Sequence, residues 1–145
     1  MRSVVLDTQV WLDWLVFDDL AVAPFRNAQA AGRIRIAMDD ACEGELIRVL
    51  GYDLGKFTLD ADAQRQCLAR FRRLTHRVAT IVTPGLPACR DRDDQKFLEV
   101  AAYAGAVLLA TRDQALLELA RRPLPFRIAR PDDPGAVLLI SENPD

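Results

Sequence analysis

Carboxylates are the side chains of this 145-residue chain that could carry out catalysis. The chain has 21 Asp and Glu residues, but only one His and three Cys. A single His, His76, excludes most zinc hydrolases and Ser–His–Asp enzymes. The cysteines are widely spaced, without a Cys-x-x-Cys pair, which favours buried thiols over disulfides or structural zinc. Any catalysis by this chain must therefore depend on carboxylates.

Four of these acids are expected at one edge of a sheet. Asp7 follows the apolar run Val4-Val5-Leu6, and Asp113 follows another apolar run by three residues. Asp94 falls in the first turn of a predicted helix that leads into that later run, and Glu45 lies one to two turns into a different helix. Functional groups of α/β proteins gather at the carboxyl ends of parallel strands. The four side chains are therefore expected to converge on one crevice.

A cluster of four carboxylates is electrostatically costly, since like charges raise one another's pKa. A divalent cation makes the cluster favourable, and all-oxygen ligands suit Mg²⁺ or Mn²⁺ rather than zinc. A metal held in this way can activate water and stabilise charge on a phosphodiester. Each acid taken alone is more simply explained as a helix cap or a solvated group. Glu45 is harder to explain in that way, because it borders the apolar face of its helix.

The rest of the chain predicts an α/β protein in which short strands alternate with helices. Apolar strands are expected at 4–6, 33–37, 79–82, 106–110 and 126–128. Helices are expected at 10–17 with Thr8 as a possible N-cap, and at 24–32, 40–50, 61–75, 93–104 and 114–120. This alternation predicts a parallel sheet that is covered by helices on both faces.

Length and composition indicate one domain of ordinary globular type. Half of the residues are hydrophobic, 28% are charged, and no apolar run approaches the roughly 18–20 residues of a bilayer span. The N-terminus reaches Asp7 after three apolar residues, so no signal peptide is expected and the default location is the cytoplasm. The net charge of −2 excludes a general polyanion-binding surface as the dominant feature.

Four segments resemble the motifs of PIN-domain nucleases. Val4-Val5-Leu6-Asp7-Thr8-Gln9 is similar to the opening strand that ends in Asp-Thr-Asn, and Glu45-Leu46-Ile47-Arg48-Val49-Leu50 is similar to Glu-Leu-x-x-Val-Leu. The segment from Cys89 to Leu98 is similar to Arg-Asp-x-x-Asp-x-x-Leu, and the segment from Ala104 to Asp113 is similar to the motif that ends in Thr-Gly-Asp. The resemblance spans roughly residues 3 to 133. It is closest to the subgroup of toxins from bacterial toxin–antitoxin pairs.

The resemblance implies a three-layer α/β/α fold with a central five-stranded parallel sheet. It implies a PIN-like domain over residues 1–133, a C-terminal tail over 134–145, and metal-dependent cleavage of RNA with Mg²⁺ or Mn²⁺ as cofactor. The positions that match the catalytic and metal-binding acids of the family are Asp7, Glu45, Asp94 and Asp113. Thr111 would place a hydroxyl near the metal. Asp91 is a further candidate, either as a ligand or only as a helix cap.

Two positions depart from the family motifs. Gln9 stands where the family has Asn, so its amide reaches a different place. Arg112 stands where the family has Gly, so the turn before Asp113 does not demand a positive φ. Arg112 is expected either to pair with Asp113 and compete with metal, or to contact a substrate phosphate. Both departures are expected to affect the efficiency of cleavage and the choice of substrate more than the binding of metal.

The partners implied are an RNA substrate, a cognate antitoxin protein and a second copy of the chain in a homodimer, with no membrane. The antitoxin is expected to insert an Arg or Lys toward Asp7 and Asp94. Trp11 and Trp14 would be its apolar anchor if they are exposed, and the alternative is that both belong to the core. A basic stretch either contacts RNA or is a solvated helix face; it consists of Arg65, Arg70, Arg72, Arg73, His76 and Arg77.

Three other functions compete with the ribonuclease. An aspartyl-nucleophile phosphatase needs a second Asp two residues after Asp7, where this chain has Gln9. A phospho-acceptor receiver domain needs an early acidic pair, which Glu45 is not positioned to supply. A non-catalytic PIN-like module that binds RNA or protein stays open because of Gln9 and Arg112, although retention of all four acids argues against it.

Overall fold

The computed structural model describes residues 1–143 and has a five-stranded parallel sheet at its centre. The strands are β1 (Arg2–Leu6), β2 (Ile34–Met38), β3 (Thr75–Arg77), β4 (Leu108–Ala110) and β5 (Arg127–Ala129), in the order β3-β2-β1-β4-β5. The chain extends from β1 to β2 and β3 on one side, and then returns to add β4 and β5 on the other. Leu6 of β1 lies opposite Ala110 of β4. A crevice forms at the carboxyl ends of two strands where the order reverses in this way.

Helices cover both faces of the sheet, which confirms the three-layer α/β/α prediction. They are α1 (Thr8–Leu15), α2 (Ala23–Ala30), α3 (Asp40–Leu50), α4 (Ala61–Leu74), α5 (Gln95–Tyr103), α6 (Gln114–Leu117) and α7 (Pro134–Ser141). Five of them begin after an Asp whose side chain accepts a first-turn backbone N–H, namely Asp7, Asp39, Asp60, Asp113 and Asp133. Asp7 is thus the N-cap of α1, and the prediction of Thr8 is wrong. Thr8 is already helical, and its hydroxyl donates to Glu45 instead.

The first helix is buried almost all round, and it packs against α3 and α4. Trp11 and Trp14 are only 3% and 4% exposed, and their ring centroids are 5.1 Å apart. Phe71 of α4 meets the ring of Trp11 edge-on at 4.9 Å. The expectation that these tryptophans offer an exposed anchor to a partner is therefore wrong, and the alternative that they belong to the core is confirmed.

The third strand lies earlier in the chain than the apolar pattern predicts. The sequence favours residues 79–82, but β3 is Thr75–Arg77 and begins directly after α4. β3 is an edge strand with two of its three residues exposed, so it needs no apolar run. The segment 79–82 is not a strand; Thr80 holds it beside the end of β2, where its hydroxyl donates to Asp39 Oδ2 at 2.8 Å.

The region described above as a C-terminal tail includes helix α7. This helix packs against α2, and its residues Ala136 and Ile140 are fully buried. The apolar run 137–140 therefore packs as part of a helix. Pro144 and Asp145, the last two residues of the tail, lie outside the described residues.

Two further observations concern the composition. The three cysteines are buried, and none forms a disulfide within residues 1–143, as their spacing predicts. In the same range, no helix is long and apolar enough to cross a membrane.

Candidate metal centre

Asp7 is positioned by the end of β1 and the start of α1. Its Oδ1 accepts a hydrogen bond from the backbone N–H of Val10 at 3.0 Å, which caps the helix. Its Oδ2 accepts a hydrogen bond from the hydroxyl of Thr111, which follows β4. Asp7 is 4% exposed. The carboxylate is therefore held deep in the crevice between two neighbouring strand ends.

Thr111 and Asp113 reach the same crevice from β4. Because β4 pairs with β1, Thr111 leaves the sheet directly beside Asp7. The Thr111 hydroxyl is fully buried, donates to Asp7 and accepts a hydrogen bond from the backbone N–H of Asp113 at 2.9 Å. Asp113 Oδ1 accepts from the backbone N–H of Ala115 at 2.8 Å and caps α6. Thr111 thereby fixes the two acids relative to each other.

Asp91 caps the 3₁₀ turn Arg92–Asp94 that leads into α5, and Asp94 is the last residue of that turn. Asp91 Oδ1 accepts a hydrogen bond from the backbone N–H of Asp93 at 3.0 Å. Asp94 is 8% exposed, and its Oδ2 is buried without a hydrogen-bond partner among residues 1–143. One carboxylate oxygen from each of Asp91, Asp94 and Asp113 lies within 4.8 Å of the other two. That spacing suits a single ion with oxygen ligands at about 2.0–2.6 Å.

Glu45 stands apart from this cluster, because both of its carboxylate oxygens are engaged. Its Oε1 accepts a hydrogen bond from Lys96 Nζ at 2.9 Å, and its Oε2 accepts one from the hydroxyl of Thr8. The side chains of Glu45 and Lys96 are each 17% exposed, so the ion pair is largely shielded from water. Sequence reasoning missed both donors. A signal for Lys96 was present, since it follows Asp94 by two residues within the same motif.

All four predicted acids line one cavity of about 420 Å³ at the carboxyl edge of the sheet. Gln9 and Arg112 also line it, while Asp91 reaches it through its cluster with Asp94 and Asp113. Thr111 is buried behind Asp7. Apolar walls are supplied by Leu12, Val49 and Phe97. The structure therefore brings together the carboxylates that the sequence places in four separate segments.

Burial makes two of these carboxyls hard to ionise. It raises the pKa of Asp7 from 3.8 to about 6, although hydrogen bonds from Thr111 and Val10 act in the opposite direction. Burial also raises the pKa of Asp94, to about 7, and the neighbouring carboxyl of Asp113 and the charges of the other nearby carboxylates add to the increase. A divalent cation would favour the ionised form of both groups. Without a cation, the ionised cluster is electrostatically unfavourable near neutral pH.

Arg112 does not pair with Asp113, which corrects one of the two expectations for it. Its Nη1 lies 3.2 Å from Asp13 Oδ2 and 3.6 Å from Asp19 Oδ2. Asp13 is only 3% exposed on α1 and also accepts a hydrogen bond from Gln9 Nε2 at 3.3 Å. An unpaired carboxylate at that depth is costly, so the guanidinium lies against Asp13. Sequence reasoning missed Asp13, although an acid surrounded by apolar helix residues signals a buried charge that needs a partner.

The donor set of the cavity fits a hard divalent cation. Its acidic members offer only oxygen ligands, and no thiol or imidazole from the described residues lines it. Oxygen ligands favour Mg²⁺, Mn²⁺ or Ca²⁺ over zinc. The buried Oδ2 of Asp94 is an atom that a bound cation would satisfy.

These features define an α/β protein with a carboxylate cavity suited to divalent-metal chemistry. A sequence model of the PIN domain matches residues 3–115, a range that includes all four cavity acids. The chain belongs to the PIN domain family. PIN domains are generally nucleases that use divalent metals, so the family supports a nuclease and the acidic cluster fits such a metal. No curated protein matches the chain.

Proposed function

We propose that this protein is a metal-dependent endoribonuclease that acts in the cytoplasm as the toxin of a toxin–antitoxin pair. The observation that carries the enzymatic part is the buried, unpartnered Oδ2 of Asp94, within a cluster whose oxygens lie 4.8 Å apart or less. A buried polar atom without a partner costs about 1–3 kcal/mol, and more when it is charged. Mg²⁺ or Mn²⁺ is the partner that the surrounding carboxylates favour.

In this proposal, Asp7, Glu45, Asp94 and Asp113 would hold the metal, and the exposed Asp91 would be a further ligand. A divalent metal held there would activate a water molecule and stabilise negative charge on the phosphodiester. Thr111 orients Asp7 through the hydrogen bond to Oδ2. To bind a metal through Oε1, Glu45 must either share that oxygen with Lys96 or break its hydrogen bond to Lys96. Glu45 is therefore the proposed ligand whose geometry has to change most.

Two side chains of the same cavity are proposed to bind the substrate. Arg112 and Gln9 line the cavity beside Asp113 and Asp7. Asp13 fixes both of them, since it accepts a hydrogen bond from Gln9 and pairs with Arg112. A guanidinium held in this way needs little reorganisation to contact a phosphate oxygen.

The test is cleavage of defined single-stranded RNAs in Mg²⁺, in Mn²⁺ and in EDTA. Asp7→Asn and Asp94→Asn are compared with Asp60→Asn, which is the matched control. Like Asp7, Asp60 is an N-cap that accepts a backbone N–H three residues later, from Ala63 at 2.8 Å, but it is exposed and outside the cavity.

We expect metal-dependent cleavage by the wild type and by Asp60→Asn. The two cavity variants should lose about 100-fold or more, since each lacks a ligand of the catalytic metal. Undiminished cleavage in EDTA, or by Asp94→Asn, contradicts the proposal. RNA binding with no cleavage under any of these conditions favours the non-catalytic module.

The toxin role requires an inhibitor, for which we propose a protein segment that inserts an Arg or Lys toward Asp7 and Asp94. The chain already places one cation against an acid of the cavity, since the ammonium of Lys96 binds Glu45. The test is binding of the adjacent upstream gene product to the wild type and to Asp7→Ala/Asp94→Ala. Loss of a desolvated charge pair should weaken binding of the inhibitor to the double variant by about 2–5 kcal/mol. Equal affinity for the wild type and the double variant contradicts insertion of an Arg or Lys into the cavity. Light scattering of the purified protein tests the proposed homodimer.

A further inference from the structure

Two adjoining cavities form a groove at the amino-terminal edge of the sheet, opposite the metal centre. The first, of about 270 Å³, lies between α2 and α4 over the buried Trp14. The second, also about 270 Å³, follows the starts of β2 and β3. The two cavities share Gln29, Arg73 and Leu74 as lining residues. We call the combined surface the basic groove.

The basic groove is positively charged in a protein whose net charge is −2. Its basic lining consists of four arginines, Arg26, Arg35, Arg70 and Arg73, together with His76. Among residues 1–143, no Asp or Glu lines either cavity. The groove therefore concentrates basic residues in a chain whose acidic and basic residues are nearly balanced, 21 against 19.

Three exposed arginines of the groove form no ion pair with a described residue and are available to a ligand: Arg35 on β2, and Arg70 and Arg73 on α4. Within the basic stretch, Arg72 and Arg77 both bind Glu43, and Arg65 binds Asp62. Arg70 and Arg73 lie three residues apart on one face of α4. Both are exposed, and neither forms an ion pair with any described residue.

Arg26 completes this face of the groove from α2. Its Nη1 lies 2.6 Å from Asp18 Oδ1, and its Nη2 donates to the carbonyl of Asp19 at 3.1 Å, so the guanidinium is fixed in place. Its Nε is buried without a hydrogen-bond partner among the described residues. Arg26, fixed in this way, adds a guanidinium group to the wall of the first cavity.

We propose that the basic groove binds the phosphodiester backbone of single-stranded RNA at a distance from the cleavage site. This inference rests on the proposed function. An array of guanidinium groups along two connected cavities fits consecutive phosphates better than it fits a single small anion. The Gln29 amide and the apolar Leu74 can contact the sugar or base. The five residues of β1 separate the two edges of the sheet by about 17 Å at roughly 3.3 Å per residue, so one RNA strand must span several nucleotides to occupy both sites.

The experiment measures binding of a labelled single-stranded RNA of about 12 nucleotides, within the roughly 4–16 nucleotides that single-strand binding modules cover. Binding is followed by fluorescence anisotropy in EDTA, so that cleavage does not interfere, and over a series of salt concentrations. The variant is Arg70→Ala/Arg73→Ala. The matched control is Arg121→Ala/Arg122→Ala, which removes the same charge from two exposed arginines that form no ion pair with the described residues. Melting temperatures of both variants verify that the fold is intact.

Loss of Arg70 and Arg73 should weaken RNA binding about tenfold. It should also reduce the slope of log K against log salt by about 1.4, since each phosphate contact in a single strand contributes about 0.7. The control should keep the wild-type slope. Equal slopes for the variant and the wild type, or equal losses in the variant and the control, overturn the proposal.

A glutamate-rich peptide of matched length is the second probe. If it binds the groove and the RNA does not, the occupant is an acidic protein segment and the RNA proposal is wrong. Cleavage of RNA by the wild type in Mn²⁺ separates the two proposals. A protein that cleaves RNA but binds it independently of Arg70 and Arg73 refutes only the groove. A protein that binds RNA through the groove but never cleaves it refutes only the nuclease.

Discussion

Replacing Asp7 by Asn is expected to stabilise the metal-free protein at pH 8. Burial raises the pKa of Asp7 from 3.8 to about 6, so the folded state binds this proton more tightly than the unfolded state. The contribution of Asp7 to stability is therefore fully present below pH 3.8 and is lost as the pH rises through about 6. At about 1.36 kcal/mol per tenfold change in proton affinity, ionised Asp7 destabilises the native state by about 3 kcal/mol.

Asparagine keeps the shape of the carboxyl and its helix cap without the buried charge. The Asp7→Asn variant should thus unfold with a free energy up to about 3 kcal/mol higher than the wild type at pH 8, and with a nearly equal free energy at pH 4. Urea unfolding in EDTA measures this difference. The fluorescence of the buried Trp11 and Trp14 provides the signal.

The Asp60→Asn variant is again the control, because it makes the same chemical change at an exposed N-cap. It should show no such dependence on pH. If Asp7→Asn is less stable than the wild type in EDTA at pH 8, ionised Asp7 does not destabilise the native state. The same holds if the variant exceeds the wild type in free energy of unfolding by the same amount at pH 4 as at pH 8.

Addition of Mn²⁺ should then remove most of this difference in stability between the wild type and Asp7→Asn. A ligand at a hundred times its Kd stabilises the folded state by about 2.7 kcal/mol. The wild type should gain this amount at pH 8, whereas Asp7→Asn should gain much less, since it lacks one anionic ligand. An equal gain in the two proteins means that the metal does not bind at Asp7.

Three further changes have defined outcomes. Lys96→Met removes the cation beside Glu45, so Mn²⁺ should bind about tenfold more tightly, or about 1.4 kcal/mol, by calorimetry; unchanged or weaker binding contradicts the competition between Lys96 and the metal. Arg112→Ala leaves the buried Asp13 unpaired and should lower the free energy of unfolding by about 3 kcal/mol. The double variant Arg112→Ala/Asp13→Asn should recover most of that loss in urea unfolding. If the losses of the two single variants simply add in the double variant, Arg112 and Asp13 do not stabilise the fold as a pair. Ile140→Ala should cost about 2–5 kcal/mol by cavity formation in α7, whereas a loss below about 0.5 kcal/mol means that α7 does not stabilise the domain.

The sequence predicts the centre of the fold well, because the central strands are buried on both faces. Continuous apolar runs mark β1 and β4, and the acids that follow them come together because the two strands pair. The edge strand β3 is not predicted in this way, because it has no apolar run. One side of an edge strand has no neighbour, so Thr75–Arg77 can be polar and still pair with β2.

The candidate site is predicted in its acids but not in the partners of those acids. Asp7 and Asp113 follow from local patterns, since each ends a strand and caps a helix. The contacts from Lys96 to Glu45 and from Arg112 to Asp13 join segments that lie far apart in the chain. Local periodicity does not indicate which acidic side chain pairs with which basic side chain in the folded protein. Only the assembled fold shows these pairs.

The order of the strands also sets the time at which the cavity can form during synthesis. β1 is made first but lies at the centre of the sheet, and about 100 residues separate Leu6 from its neighbour Ala110. At roughly 5–20 residues per second, that interval lasts about 5–20 s. Until β4 emerges, Asp7 lacks both Thr111 and Asp113, and the cluster around Asp94 is incomplete. Any activity that depends on the assembled cavity therefore begins only after most of the chain has been synthesised.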